Sequence, residues 1–356
     1  MSQADKFRVA LHKANGTASP GGASSSTTIP PRRLLLLALA AIWIVVAALV
    51  MFTEWTDRQR RLEGAFSQAS TLARVLEEQM VNLFHGTDQA LLGIAEGLRG
   101  GLPIGVHDPD YENSLRRRVA NLPAVRALFV IGADGYIIQD SDRDTPPQNL
   151  ADRRYFMIHQ NGTAEGLFIG DPLISRSTGD WFVALSRRLE GPNDEFAGVA
   201  AAAVDISYFE SLYAELGLGK DDVITLAMKD TILVARQPAS KDRIGERLIP
   251  DDGKSILEEA LERGPTGVFE AKSTIDGVRR LFAYRVLPKH PLVVLVGLSR
   301  DGVLAPWRQG AIVAGLATAS AIGIFAFLWW FVLHYARREA EAQATLAQSA
   351  KLEAIG

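Results

Sequence analysis

The chain contains no cysteine among its 356 residues, which excludes disulfides, cysteine-ligated zinc and thiol catalysis. It also lacks an excess of one charge. Its 38 Lys and Arg against 41 Asp and Glu leave a formal net charge of -3, so no basic surface for nucleic acid is indicated. Histidine is scarce, and the six present (His12, His85, His107, His159, His290 and His334) show no metal-ligand spacing. Gly162, Gly166, Gly170 and Gly179 lack the strand-to-helix setting of a phosphate loop and read as turns. A nucleophile elbow is missing as well, so no Ser-His-Asp order can be argued. No catalytic constellation is legible, and neither a metal nor a cofactor is expected to bind this chain.

What is present begins with two apolar runs. Leu34 to Phe52 carries no charge and, at ~1.5 Å per residue, reaches roughly 28 Å, the hydrocarbon thickness of a bilayer. It is too long for the apolar part of a signal peptide and follows a polar leader. The second run, Gly310 to Leu333, sets Ala311, Gly315, Ala319 and Gly323 four apart, a ridge on which another helix packs closely, or a small-residue face toward lipid. Residues 34–52 and 310–333 are therefore expected to span a membrane. Segment 53–309 then lies on one side, extracytoplasmic, with both termini cytoplasmic. Flanking Arg32 and Arg33 against Arg58, Arg60 and Arg61 give the positive-inside rule little to decide.

Residues 1–33, with their tract GTASPGGASSSTTIPP, are expected to be a disordered leader. After the first span, Leu62, Phe66, Ala69, Ala73, Leu76, Met80, Leu83, Ala90 and Ile94 recur at steps of three and four, broken at Thr87. This predicts a long helix over 53–100, closed by the breaker Gly100-Gly101-Leu102-Pro103. Its apolar seam fits either a second protomer or the sheet of its own domain.

Beyond a helical piece at Tyr111–Val119, strands are predicted at Val125–Ile131, Tyr136–Ser141, Gly166–Ile169, Trp181–Leu189 and Phe196–Ile206. Ala133-Asp134-Gly135 is a hairpin turn, and a helix follows at Tyr208–Leu216. The pattern recurs with strands at Val223–Met228, Ile232–Gln237, Gly267–Ala271, Arg279–Val286 and Leu292–Leu298 and a helix at Ser255–Arg263. Two modules, 101–217 and 218–309, are expected in tandem. The first is read as longer because only it contains Thr145 to Ser177, extra length of the kind in which binding usually lives. The polar, Ala-rich segment 334–356 is predicted to continue the second span as a cytoplasmic helix.

The segments ADRRYF (Ala151–Phe156) and IGDP…TG.W…LSRRL (Ile169–Leu189), the exit GVAAAAVDISYF (Gly198–Phe209) and the paired hairpins resemble the double Cache sensor domains of bacterial membrane receptors. The fold this implies is α+β: two PAS-like antiparallel-sheet modules behind a long N-terminal helix, between two transmembrane helices. AQSAKLEAIG (Ala347–Gly356) resembles the segment ahead of the phosphoacceptor helix of sensor histidine kinases. The resemblance implies a receptor that binds a small organic ligand outside the membrane and signals to a histidine kinase module of a two-component system. A diguanylate cyclase or chemoreceptor output, or a surface domain without signalling, remains the alternative. The partners implied are the ligand, membrane lipid, a second copy of the chain and a response regulator. ATP and Mg are expected only for a kinase module beyond these residues.

By the same resemblance the ligand lies in the first, membrane-distal module. Arg153 offers a planar fork that matches a carboxylate. Tyr155 and Trp181 supply aromatic walls, Phe156 completes the Arg-x-aromatic-aromatic group, and Asp205 is an acceptor for a cationic group. The competing readings are structural: Arg153 bridging to Asp152 or Asp171, Tyr155 and Trp181 in the core, and Asp205 capping the following helix. Amino-acid-binding members carry a Tyr-x-Asp pair where this chain has Leu173-Ile174-Ser175. The missing carboxylate leaves an α-ammonium without one counter-charge, so a small carboxylate or another organic molecule is expected rather than an amino acid, with Ser175 able to hydrogen-bond either one.

Overall fold

The computed structural model describes residues 31–99, 107–142, 148–164, 166–248, 253 and 255–353. The leader up to residue 30 and the breaker at 100–103 lie outside the described residues. The chain forms two compact units, Thr53–Ala317 and a second made of Met1–Phe52 with Thr318–Gly356.

The elements run in the order α1 (Pro31–Gly97), α2 (Pro109–Val119), β1 (Val125–Gly132), β2 (Ile137–Asp140), α3 (Arg154–Gln160), β3 (Phe168–Ile174), β4 (Trp181–Glu190), β5 (Phe196–Asp205), α4 (Ile206–Ala214), β6 (Val223–Met228), β7 (Leu233–Gln237), α5 (Ile256–Arg263), β8 (Thr266–Lys272), β9 (Arg279–Val286), β10 (Leu292–Ser299) and α6 (Arg300–Glu353). The strands form two five-stranded antiparallel sheets with one topology, β2-β1-β5-β4-β3 and β7-β6-β10-β9-β8. The repeat read from the sequence is thus a repeat of fold. Gly135 sits at φ +86 in the β1–β2 turn, where its Cβ position is also crowded by Ala151, the conformation that favours glycine.

Strand alternation sorts each sheet into two faces. Leu128 and Val130 of β1, and Ile224 and Leu226 of β6, join a core shared with α1, whereas Ala127, Phe129 and Ile131 face a second cluster with Tyr155 and Phe156. On α1 the buried apolar positions are Ala65, Ala69, Ala73, Leu76, Met80, Phe84, Leu91 and Ile94, with Leu98 just past its end. The seam therefore covers the sheets of its own chain. It also turns relative to the expected stripe: Phe84, Thr87 and Leu91 are buried, while Leu83 and Ala90 are only half-buried. Thr87 fits among apolar neighbours because its hydroxyl donates to the Leu83 carbonyl at 2.9 Å, satisfying the polar group within the helix. Two ion pairs tie the same helix to both sheets, Asp88 with Arg187 on β4 at 2.6 Å and Glu77 with Arg285 on β9.

The second span runs on into the following segment as one helix, α6, as expected. Three sequence expectations change. The first span and the stalk, read as separate segments, are one helix, α1, because no breaker separates them. The Thr145–Ser177 segment is not an insertion. The β2–β3 connection covers 141–167 and the β7–β8 connection 238–265, near-equal lengths, and among the described residues each holds one α-helix, α3 or α5, the second preceded by a 3-10 turn at Lys241–Arg243. Arg154–Gln160 is helical, although seven residues are too few to show a helical period.

Two helices are long and apolar enough to cross a membrane, Ala38–Gly97 and Arg300–Glu339. In the unit containing their apolar parts, Trp43 and Phe325 approach with ring centroids 5.9 Å apart, and Ile44, Val45, Ile324, Phe327 and Trp330 are exposed. A Cβ at Gly315 or Gly323 would meet no atom of the chain.

Candidate functional site

In the first module a cleft lies between the open face of the sheet and the 148–182 region. It is bounded by Phe129 and Arg126 of β1, Asp140 of β2, Arg153, Tyr155, and the Ser175–Ser177 turn. Its volume is about 40 Å³, room for roughly three waters. Three of the expected residues, Arg153, Tyr155 and Ser175, come together there, and three do not.

Arg153 stands at the N-terminus of α3 with a half-buried side chain. Its neighbours take the carboxylates of the competing, structural reading: Arg154 pairs with Asp171 at 2.6 Å, and Arg176 grips Asp152 through two hydrogen bonds of 3.1 and 2.5 Å. Among the described residues Arg153 donates only to the Ile174 carbonyl at 3.3 Å, and its Nε is sealed from solvent without a partner there. A guanidinium left this way is the arrangement in which an incoming anion gains most. Tyr155 is 3% exposed, and burial pushes its hydroxyl up to about 12; it stays a neutral donor. Ser175 Oγ lies 3.0 Å from Ser177 Oγ and accepts from the Thr178 amide at 3.3 Å.

Phe156 is fully buried, edge-on to Phe196 with centroids 5.4 Å apart, and does not border the cleft. Trp181 points to the other side of β4, where its ring lies against Gly245 of the second module; the adjacent Phe182 borders the cleft instead. Asp205 occupies the N-cap position of α4 but makes no capping hydrogen bond. Its Oδ1 lies 3.3 Å from Arg126 Nε, an ion pair without hydrogen-bond alignment. Burial, partly offset by Arg126 and reinforced by Asp180, raises the Asp205 carboxyl. Asp205 therefore stands behind Arg126 rather than facing the cleft.

Two site residues were missed in the sequence. Arg126 is the single charge in the apolar strand VRALFVIG, and a register shift between Val125 and Ala127 turns it to the cleft, as bulges do beside binding sites. Its Nη1 donates to Thr178 at 2.6 Å and its guanidinium lies 5.7 Å from the Phe182 ring centre. Arg176 sits in the turn after β3. The lone charge inside an apolar strand was the available signal.

His159, the one histidine near the site, is fully buried, with Nε2 2.9 Å from Ser186 Oγ, which in turn donates to the Tyr155 carbonyl at 3.1 Å. That chain requires Nε2 to carry the proton and leaves Nδ1 without a partner. Burial, with the Arg188 and Arg187 charges, lowers its pKa from 6.5 to about 4. The unfolded chain thus takes up a proton between those values and the folded one does not. Stability from this group is complete above pH 6.5 and falls by about 3 kcal/mol as pH drops to 4. Denaturation at pH 7 and pH 4.5 should show this, and a His159→Gln variant should lack most of the slope; an equal slope would assign it elsewhere. No cluster of His, Asp and Glu suited to a metal occurs among the described residues.

Two sheets of one strand order on one long helix, with an arginine-lined cleft in the first, make a Cache-like fold. Residues 206–297 match the dCache_1-like family, described as a histidine kinase sensor domain. The extracellular domain of a protein assigned as a histidine kinase, rpHK1S-Z16, is 29% identical with a TM-score of 0.60, over 69% of this chain and 99% of that one. The periplasmic sensory domain of the Campylobacter jejuni chemoreceptor Tlp1 is 15% identical with a TM-score of 0.52, over 67% of this chain and 96% of that one. The ligand-binding domain of the Pseudomonas fluorescens chemoreceptor CtaA, in complex with L-serine, is 14% identical with a TM-score of 0.51, over 67% of this chain and 99% of that one. The last two share the fold alone. Comparison with curated proteins gives no match. Residues 206–297 are thus similar to a histidine kinase sensor domain, the fold is that of the extracellular domain of rpHK1S-Z16, and the described residues include two candidate membrane helices.

Proposed function

We propose that the chain is the sensing part of a transmembrane receptor whose first module binds a small carboxylate and whose output is a cytoplasmic histidine kinase module of a two-component system. The observation that carries the ligand class is the convergence of Arg126, Arg153 and Arg176 on one cleft, with Arg153 lacking a carboxylate partner among the described residues. The resemblance of Ala347–Gly356 to the approach of a phosphoacceptor helix and the family matched by residues 206–297 favour the kinase output. In this reading segment 53–309 is extracytoplasmic, both termini are cytoplasmic, and the receptor is a homodimer that acts on a response regulator.

The cleft is too small for a ligand of more than a few atoms unless the Arg153 and Arg176 side chains swing outward. Binding therefore selects a more open arrangement of the Ser175–Ser177 turn. Signalling requires that the ligand prefer one of two arrangements of the helices leaving the domain, since equal affinity for both would shift nothing. Acetate, propionate, lactate, succinate and the amino acids, screened by thermal shift on the intact chain in nanodiscs, should give stabilisation by at least one carboxylate. Arg153→Ala should remove that shift, with ~10- to 100-fold weaker binding, the equivalent of one charge-assisted hydrogen bond. An unchanged shift would take Arg153 out of the site.

A further inference from the structure

The second module holds a larger cavity in the corresponding place. It is bounded by Thr225 of β6, Arg236 of β7, the start of α5, Phe269 and Ala271 of β8, and Phe282 of β9, with a volume of about 570 Å³, within the range of ligand sites. The two modules superpose by register. Asp140 pairs with Phe129 across β1–β2, and Arg236 pairs with Thr225 across β6–β7; each pair borders its module's cavity. The same position thus carries a carboxylate in the first module and a guanidinium in the second.

Arg236 and Arg280 are 5% and 2% exposed in their side chains, and both bond to Asp276. Arg280 alone satisfies that carboxylate, through Nη1 and Nη2 at 2.8 Å each, and its Nε reaches the Asp221 carbonyl at 2.6 Å. Arg236 adds one hydrogen bond to Asp276 Oδ2 at 2.5 Å, while its Nε has no partner. Two buried guanidiniums therefore share one carboxylate, leaving one positive charge uncompensated among the described residues. Burial and the nearby Arg280 lower the pKa of Arg236 against the pull of Asp276, as expected for a cation short of anionic partners. A buried, half-paired cation is costly. It is relieved when an anion enters.

We propose that this cavity is a second ligand site, separate from the cleft of the first module, which takes a monocarboxylate with an apolar body. The carboxylate approaches Arg236, assisted by the Thr225 and Ser273 hydroxyls. The carbon skeleton lies among Val223, Leu257, Phe269, Phe282 and Leu295. Its size and apolar walls favour a chain of several carbons or one ring over acetate, and burial of that skeleton contributes ~25 cal/mol per Å². Because β10 leads directly into α6, occupancy here bears on the helix that enters the second candidate span.

The test uses the intact chain in nanodiscs, with Arg153→Ala in the background to silence the first cleft. Butanoate, hexanoate and benzoate are compared with butanamide, hexanamide and benzamide by thermal shift and calorimetry, and empty nanodiscs serve as the control for partitioning. Hexanoate and benzoate should stabilise the Arg153→Ala chain with one site per protomer, the amides should bind at least ~10-fold more weakly, and Arg236→Gln should abolish the shift. Ala271→Phe, which fills the cavity and leaves every charge in place, should abolish it too, and decides the matter if Arg236→Gln fails to fold. The proposal is overturned if no carboxylate shifts the Arg153→Ala chain, if amides bind equally well, or if binding survives Ala271→Phe. Loss of carboxylate binding in Arg153→Ala alone would leave the first-module reading standing and remove this one.

Discussion

Replacing Asp276 by alanine is expected to destabilise the second module by ~3–5 kcal/mol, the range for breaking a buried ion pair from one side. The loss is large because Asp276 is the shared counter-charge of Arg236 and Arg280, whose side chains are 5% and 2% exposed. Without it both guanidiniums stay in the sheet with no anion between them. Asp276→Asn should be less severe, since the amide oxygen still accepts one hydrogen bond while the charge is gone. The same cluster sets an acid limit. Burial acts to raise the Asp276 carboxyl, but the Arg280 hydrogen bonds, the Val278 amide and the Arg236 charge outweigh it and hold the carboxyl well below its ordinary 3.8. With its folded pKa depressed, its contribution is complete above pH 3.8 and is lost as pH falls toward the folded value. Chemical denaturation of the intact chain reads both effects. A loss below ~1 kcal/mol in Asp276→Ala would mean that the two arginines reach solvent once released, as surface pairs do.

The second large effect is at Phe84. Truncation to alanine is expected to destabilise the Thr53–Ala317 unit by ~3–5 kcal/mol, the range for removing a buried aromatic ring. Phe84 is 1% exposed and packs against Phe209 of α4, with centroids 6.5 Å apart, and against His290 of the β9–β10 turn at 5.5 Å. One side chain of α1 thus touches the exit helix of the first module and a turn of the second. Leu83, its half-buried neighbour, should be much less costly to truncate. Denaturant midpoints of Phe84→Ala and Leu83→Ala decide the matter; equal losses would return the seam to the stripe read from the sequence.

Those two residues also show where sequence patterning reaches its limit. The spacing of apolar residues along 62–94 established a long amphipathic helix, because only a helix brings residues three and four apart to one face. It placed Leu83 and Ala90 inward and treated Thr87 as a break. The drift of a helix against a strict seven-residue repeat and the shape of the sheets select Phe84, Thr87 and Leu91 instead. Strands were legible for a local reason: alternation, β-branched residues and glycine turns fix them, and Arg279–Val286 was located to the residue.

The site divides along the same line. Arg153, Tyr155 and Ser175 border the cleft, but Trp181 and Phe182 differ only in strand parity. Parity is set by the pairing of β4 with β3 and β5, which involves residues distant in the chain. Arg126 reaches the cleft through a bulge, and Arg154 and Arg176 free Arg153 by taking Asp171 and Asp152. The first leaves one local trace, a lone charge in an apolar strand, and the second leaves none. By itself the sequence determined what short-range periodicity encodes: two apolar runs of bilayer length, a long amphipathic helix, and ten strands in two like sets. Only the tertiary structure decided that both modules carry equivalent connections and cavities, which guanidinium has no carboxylate of its own in each, and which aromatic ring faces the cleft. Those outcomes depend on register, parity and competition for counter-charges across the fold, which no local window contains.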